Sequence, residues 1–226
     1  MIAKASTGNL SIKCMCRLFE TIRIENGQPL HLRWHEERMR KPGLMIRDPR
    51  AGNLEPGIGL RLLDSGLWLK SIIKVPENMQ TGIVKCNVIY GQEILEISFR
   101  PYIKRPVRSL KLVYTESFDY HLKYSDRTGL EELFARRGLC DDIIIVNGGL
   151  ITDSSISNLV FYDGSMWYTP AHPLLEGTCR ARLIAQGKII PLDIRPEDLH
   201  HYRGCKLINA MREPQEEEIV GMSNIE

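Results

Sequence analysis

The first half of the chain alternates apolar and polar residues in two places, each with a turn signal at its centre. Residues 17–25 (RLFETIRIE) have the two-residue period of a half-buried strand, and Asn26-Gly27 separates them from a short apolar run at 29–34. Residues 82–90 and 93–99 repeat this arrangement around a glycine. Because Asn-Gly favours tight antiparallel turns, the pattern predicts two β-hairpins.

Beyond residue 108 the pattern becomes a mixture of buried strands and amphipathic helices. Residues 142–146 (DIIIV) are continuously apolar, which is typical of a buried strand. Residues 129–137 have helical spacing that ends at Gly138, a common C-capping residue. Residues 101–108 contain two prolines and no clear period, and we interpret them as a linker. Further strands are predicted over 109–115, 150–152, 158–162, 166–169 and 206–210, and further helices over 35–40, 67–73 and 177–185.

This order of elements predicts an α+β fold. A β-rich first half followed by a mixed second half does not fit a doubly wound sheet. Neither a G-x-G-x-x-G nor a Walker A glycine pattern occurs. We expect a small N-terminal α+β domain over residues 1–104 and a larger α/β domain over 105–226, with a loop-rich segment at 41–66 inside the first.

Composition narrows the classes of function. The 226 residues are 43% hydrophobic and 26% charged, which is ordinary for a folded domain, and the net charge of +2 does not indicate a nucleic-acid or membrane surface. The sequence has no apolar run of the roughly 18–20 residues that a membrane span needs and no signal-peptide core. Its six cysteines form no C-x-x-C pair. We therefore expect a cytoplasmic protein without a metal site.

Three polar segments carry candidate chemistry. Lys123 lies in a polar run just before a helix, residues 152–158 place an acid, three serines and an asparagine between two strands, and Gly177 begins a helix. A helix start with a close backbone favours an anion such as phosphate. Each segment also has a plain structural interpretation: a solvated lysine, a capped polar turn and an N-cap glycine.

Taken in order, these segments resemble the class IV aminotransferases, which are the fold-type IV pyridoxal-phosphate enzymes. The likeness covers roughly residues 17–212 and rests on several motifs in the family's order, none of them decisive alone. The matching segments are Phe19-Glu20-Thr21 with Arg23, His35-x-x-Arg38-Met39, Lys123 before its helix, Thr152-Asp153 to Ser157-Asn158-Leu159, Tyr168-Thr169-Pro170, and Leu175-Glu176-Gly177-Thr178-Cys179-Arg180.

The resemblance implies pyridoxal 5'-phosphate as cofactor, bound mainly by the second domain, in a homodimer. Lys123 occupies the place of the family's Schiff-base lysine and would also transfer protons. Asp153, which replaces the usual glutamate, would face the pyridine nitrogen. Arg38 would pair with the phosphate. The remaining expected cofactor contacts are Ser157, Asn158, Gly177, Thr178 and Cys179, the last where a threonine is common.

The last third of the chain is most similar to the aminodeoxychorismate lyase branch. That branch implies a small amine substrate, 4-amino-4-deoxychorismate, and release of 4-aminobenzoate and pyruvate in folate biosynthesis. Phe19 would line the ring pocket. The two substrate carboxylates would need cations, for which Arg100, Lys104, Arg127 and Arg212 are the candidates. Two alternatives stay open: an aminotransferase for branched-chain or D-amino acids, and a non-catalytic protein that keeps the fold.

Overall fold

A computed structural model describes residues 17–40, 68–91 and 93–226. The predicted loop segment at 41–66 and the first two cysteines, Cys14 and Cys16, lie outside the described residues. Within the described ranges, no helix is both long enough and apolar enough to cross a bilayer.

The first sheet has four antiparallel strands and contains both hairpins predicted for the first half. Asn26 and Gly27, with φ angles of 48° and 77°, make the tight turn that the Asn-Gly pair predicts. The spatial order is β2-β1-β3-β4. The strands are β1 (Leu18–Glu25), β2 (Gln28–Pro29), β3 (Ile83–Tyr90) and β4 (Ile94–Pro101).

The prediction of a strand over 29–34 was wrong. The strand ends at Pro29, and helix α1 (Leu32–Met39) begins three residues later. His31 lies between them in the left-handed region, with a φ of 55°, and turns the chain sharply into the helix. Leu32 therefore packs into the core beside the first sheet from a helix and does not extend the hairpin.

The second half contains two further sheets. Strands β5 (Leu110–Thr115) and β6 (Asp142–Asn147) run parallel, and β7 (Leu150–Ile151) pairs antiparallel with β6. The other sheet has five strands in the order β10-β9-β8-β11-β12. Its members are β8 (Asn158–Tyr162), β9 (Trp167–Pro170), β10 (Ile190–Leu192), β11 (Gly204–Ile208) and β12 (Val220–Gly221).

Three more α-helices complete the described fold, and each overlaps a predicted one. They are α2 (Trp68–Ile72), α3 (Thr128–Ala135) and α4 (Thr178–Ala185). Short 3-10 helices span Glu77–Met79, Pro196–His201 and Met222–Asn224.

The strands and helices pack around several apolar cores. One core joins the inner face of the first sheet to α1 and α2, and a second lies between the two sheets of the second half. The mixed order of sheets and helices confirms the predicted α+β class. The boundary at residues 104 and 105 stays a proposal, supported by the lack of a named strand or helix between Pro101 and Leu110.

Candidate active site

A cleft with about 910 Å³ of empty space, partly open to solvent, lies between the first sheet and the second half of the chain. One wall is formed by the outer face of β1 and β3, and the other by the turn that follows β7 and the loop that leads into α4. Most of the predicted cofactor residues line it. They are Arg38, Lys123, Asp153, Ser157, Asn158, Gly177 and Thr178.

Lys123 enters the cleft from a segment that is fastened to β1. The N–H of Phe19 donates a hydrogen bond of 2.9 Å to the Lys123 carbonyl oxygen, and the Lys123 Nζ lies 4.5 Å from the centre of the Phe19 ring. Burial, and the charge of Arg38 next, lower the pKa of the Lys123 amine to about 7. A neutral amine is therefore accessible near neutral pH, which is the form that attacks a carbonyl carbon.

Asp153 faces the cleft with both carboxylate oxygens already engaged. Oδ1 accepts a hydrogen bond of 2.7 Å from Asn158 Nδ2, and Oδ2 accepts one of 2.8 Å from the N–H of Leu175. Burial nevertheless raises the pKa of Asp153 to about 7. A cationic N–H group in the cleft would offset this cost and favour the carboxylate.

Gly177 is required by close packing. A Cβ at this position would lie 2.0 Å from Asn158 Oδ1, so no other residue fits without moving that amide. Gly177 is the N-cap of α4, and its backbone is extended. Gly177 and Thr178 both line the cleft, so the start of α4, with its free N–H groups, forms part of the cleft wall and is a candidate anion site.

Ser157 and Cys179 were both predicted to contact the cofactor, but their side chains make other contacts in the structure. Ser157 is buried, and its hydroxyl accepts a hydrogen bond of 2.9 Å from Asn209 Nδ2, so it shapes the turn at residues 153–158. The Cys179 side chain packs into an apolar core away from the cleft, and burial raises the pKa of its thiol to about 12. Only the Cys179 backbone N–H is left as a candidate for anion binding.

Arg38 reaches the cleft from α1 but is already paired. Its Nε and Nη2 donate hydrogen bonds of 2.8 and 2.5 Å to the two oxygens of Glu20, and Nη1 lies 3.4 Å from the carbonyl oxygen of Glu176, just before α4. The Arg38 charge and the hydrogen bond from His35 outweigh the burial of Glu20 and hold its pKa at about 2.

Of the four cations predicted to bind the substrate carboxylates, one lines the cleft and three lie outside its lining. Arg127 lines the cleft and donates a hydrogen bond of 2.8 Å to the carbonyl oxygen of Ser155. Arg100 is exposed on β4, outside the cleft, beside Lys85 in the register of the sheet. Arg212 and Lys104 also lie outside the cleft lining, and both pair with Glu217.

Three residues of the site were missed by the sequence reasoning. Lys85 lines the cleft from β3, Asn209 holds the turn at 153–158, and Glu20 holds Arg38. A signal existed for Glu20, since it shares the inner face of β1 with Leu18 and Ile22, where a carboxylate needs a buried partner. We see no comparable signal for the other two.

The chain is similar to known proteins in sequence and in structure. Residues 114–215 match the model of the family described as amino-transferase class IV. An uncharacterized protein of Haemophilus influenzae (strain Rd) is 36% identical over 197 residues, covering 87% of this chain and 98% of that protein.

Solved structures share the fold. A crystal structure from Haemophilus somnus 129PT, described as a candidate 4-amino-4-deoxychorismate lyase, is 34% identical, with a TM-score of 0.70 over 88% of this chain and 97% of that one. The PLP-bound form of a hypothetical aminotransferase from Mycobacterium tuberculosis has a TM-score of 0.62 at 16% identity, over 100% and 86% of the two chains. The chain belongs to the class IV aminotransferase family.

Proposed function

We propose that this protein is a pyridoxal-phosphate-dependent lyase that converts 4-amino-4-deoxychorismate to 4-aminobenzoate and pyruvate. Membership of the class IV aminotransferase family indicates pyridoxal phosphate as the cofactor. The proposal rests on the position of Lys123, whose amine has a lowered pKa and lines the cleft. The opposite wall of that cleft holds the buried carboxylate of Asp153 and the start of α4.

The residues present fit this cofactor. An aldehyde needs a lysine amine, a pyridine nitrogen needs a carboxylate, and a phosphate needs N–H donors. Lys123 and Asp153 supply the first two, and the start of α4 with Arg38 supplies the third. The close approach of Gly177 to Asn158 keeps Asp153 and the helix start side by side.

In the proposed reaction Lys123 carries out both proton transfers. When bound, pyridoxal phosphate draws electrons away from the carbon atom that loses its proton. Lys123 takes the proton from the ring carbon that bears the substrate amine. The electron pair left on that carbon forms a ring double bond as the neighbouring ring C–O bond breaks, so that the ring becomes aromatic and the enolpyruvyl group departs. Lys123 then delivers a proton to the methylene carbon of that group, which leaves as pyruvate.

The basic lining of the cleft supports a substrate with two carboxylates. Lys85 and Arg127 both line the cleft, and neither forms a side-chain salt bridge within 4.0 Å among the described residues. Arg127 also contacts the Ser155 carbonyl oxygen, so one edge of its guanidinium is fixed. We place the substrate carboxylates near these two cations, and Phe19 beside the substrate ring.

The similarity to the Haemophilus somnus structure supports the lyase over the alternative, an aminotransferase acting on branched-chain or D-amino acids. Incubation of the loaded protein with 4-amino-4-deoxychorismate tests the choice. We expect equal amounts of pyruvate and 4-aminobenzoate. Failure to release pyruvate, together with stoichiometric formation of pyridoxamine phosphate from an amino acid without a keto acid, would assign the aminotransferase.

The proposal also covers the oligomeric state, the location and the pathway of the protein. We propose a homodimer in the cytoplasm that takes part in folate biosynthesis, because the family resemblance implies these properties. Sedimentation velocity of the purified protein tests the first: the proposal predicts a species of twice the 25.9 kDa chain mass.

A further inference from the structure

Glu20 is a buried carboxylate that lies behind the cleft and does not line it. It projects from the inner face of β1 toward α1, and its side chain is 0% exposed. It accepts hydrogen bonds from Arg38 Nε and Nη2, and His35 Nδ1 lies 2.7 Å from its Oε2. A fully buried carboxylate is costly unless it is paired in this way.

The two hydrogen bonds to Glu20 fix the orientation of the Arg38 guanidinium. Glu20 occupies Nε and Nη2 on one edge of the planar guanidinium, and Nη1 then points to the carbonyl oxygen of Glu176 at the approach to α4. The Arg38 side chain is only 11% exposed, so it has little freedom to turn. An anion at the start of α4 would therefore meet the Nη1 side of a guanidinium held in one plane.

The same pair sets the charge beside Lys123. Arg38 and Lys123 line the same cleft, together with Lys85, Arg127 and the carboxyl group of Asp153. The largest charge effects on the Lys123 amine come from Arg38, Arg127 and Lys85, which disfavour the ammonium form, and from Glu20, which favours it. Because Glu20 is bonded directly to Arg38, its loss would strengthen the effect of the Arg38 charge on Lys123.

We propose that Glu20 is a positioning residue that fixes the guanidinium plane of Arg38 for the cofactor phosphate and balances the charge of Arg38 beside Lys123. It acts through Arg38 and contacts neither substrate nor cofactor. The inference rests on the proposed cofactor site but does not depend on which reaction the protein catalyses.

The test compares Glu20→Gln with a matched control, Glu36→Gln. Glu36 is also buried on the helix that carries Arg38, but it accepts a hydrogen bond of 2.9 Å from the N–H of Leu69 on α2 and faces away from the cleft. Each variant is titrated with pyridoxal phosphate by absorbance. The visible band of the loaded protein is then followed as a function of pH.

We expect Glu20→Gln to weaken pyridoxal phosphate binding about tenfold, the loss of one charge-assisted hydrogen bond. We also expect the midpoint of its spectral titration to fall by about half a pH unit or more, because the loss of the Glu20 charge leaves Arg38 balanced by the phosphate alone, which favours proton loss. Glu36→Gln should change neither quantity by more than about twofold in affinity or a few tenths of a pH unit in midpoint. Wild-type values of both quantities in Glu20→Gln would overturn the proposal.

Glu20→Asp keeps the test decisive if the glutamine variant does not fold. It retains the charge but withdraws the carboxylate by one methylene, so we expect weaker cofactor binding with a nearly unchanged spectral midpoint. Binding as tight as that of the wild type would contradict the positioning role. A wild-type protein that binds pyridoxal phosphate but releases no pyruvate would refute the proposed lyase reaction and leave this test intact.

Discussion

Phe19 and Lys123 are joined twice, by a backbone hydrogen bond of 2.9 Å from the Phe19 N–H to the Lys123 carbonyl oxygen and by the aromatic ring that lies 4.5 Å from the Lys123 Nζ. The residues are far apart in sequence, one on the first strand and one just before α3. This contact brings the amine to the wall formed by the first sheet. The amine is buried there, and this burial lowers the pKa of Lys123.

The first prediction concerns the stability of the apoprotein. The pKa of Lys123 is depressed from 10.5 to about 7 in the folded chain, so the lysine stabilises the fold above its unfolded pKa and this contribution is lost as the pH falls to about 7. Lys123→Met removes the buried ammonium. We expect the variant to be more stable than the wild type at pH 7 by about 1–3 kcal/mol, after discounting for solvent contact.

Denaturant unfolding of the apoprotein between pH 6 and 10 measures this difference. It should shrink as the pH rises toward 10. Lys188→Met, at an exposed position, serves as the control and should show no such trend. A Lys123→Met variant that is less stable than the wild type at pH 7 would contradict the buried-amine interpretation.

The second prediction concerns Gly177. Gly177→Ala places a Cβ 2.0 Å from Asn158 Oδ1, so the amide must move and its hydrogen bond to Asp153 must weaken. We expect a loss of about 1–3 kcal/mol in stability and weaker pyridoxal phosphate binding. Gly91→Ala is the control, because a Cβ there would meet no atom of the described residues within 4 Å. Equal cofactor affinity in the two variants would be the contrary result.

The third prediction separates two arginines that the sequence alone treats alike. Arg127 lines the cleft, whereas Arg212 pairs with Glu217 at 2.6 Å and is buried. We expect Arg127→Ala to raise the KM for the substrate about tenfold or more with little change in Tm. Arg212→Ala should lower stability by about 3 kcal/mol, because the largely buried Glu217 carboxylate loses the partner of its Oε2 and keeps the longer contact with Lys104. Steady-state kinetics and thermal unfolding of both variants test the contrast, which fails if their effects are exchanged.

The structure shows which sequence predictions were correct and which were not. Local signals predicted the turn at Asn26-Gly27 and the strand over 142–146, because turn chemistry and apolar periodicity act over a few residues. The strand predicted over 29–34 failed because His31 adopts a left-handed conformation, which apolar alternation does not indicate. Lys85 and Asn209 could not be assigned, since their roles depend on the way distant strands meet across the cleft.

Borohydride reduction of the protein with pyridoxal phosphate, followed by peptide mass mapping, tests the central claim most directly. Reduction makes a lysine-bound cofactor permanent, so the modified residue can be read from the peptide masses. The account predicts one stable modification per chain, at Lys123, which disappears in Lys123→Ala. Modification at another lysine with the same stoichiometry, or none at all, would contradict it.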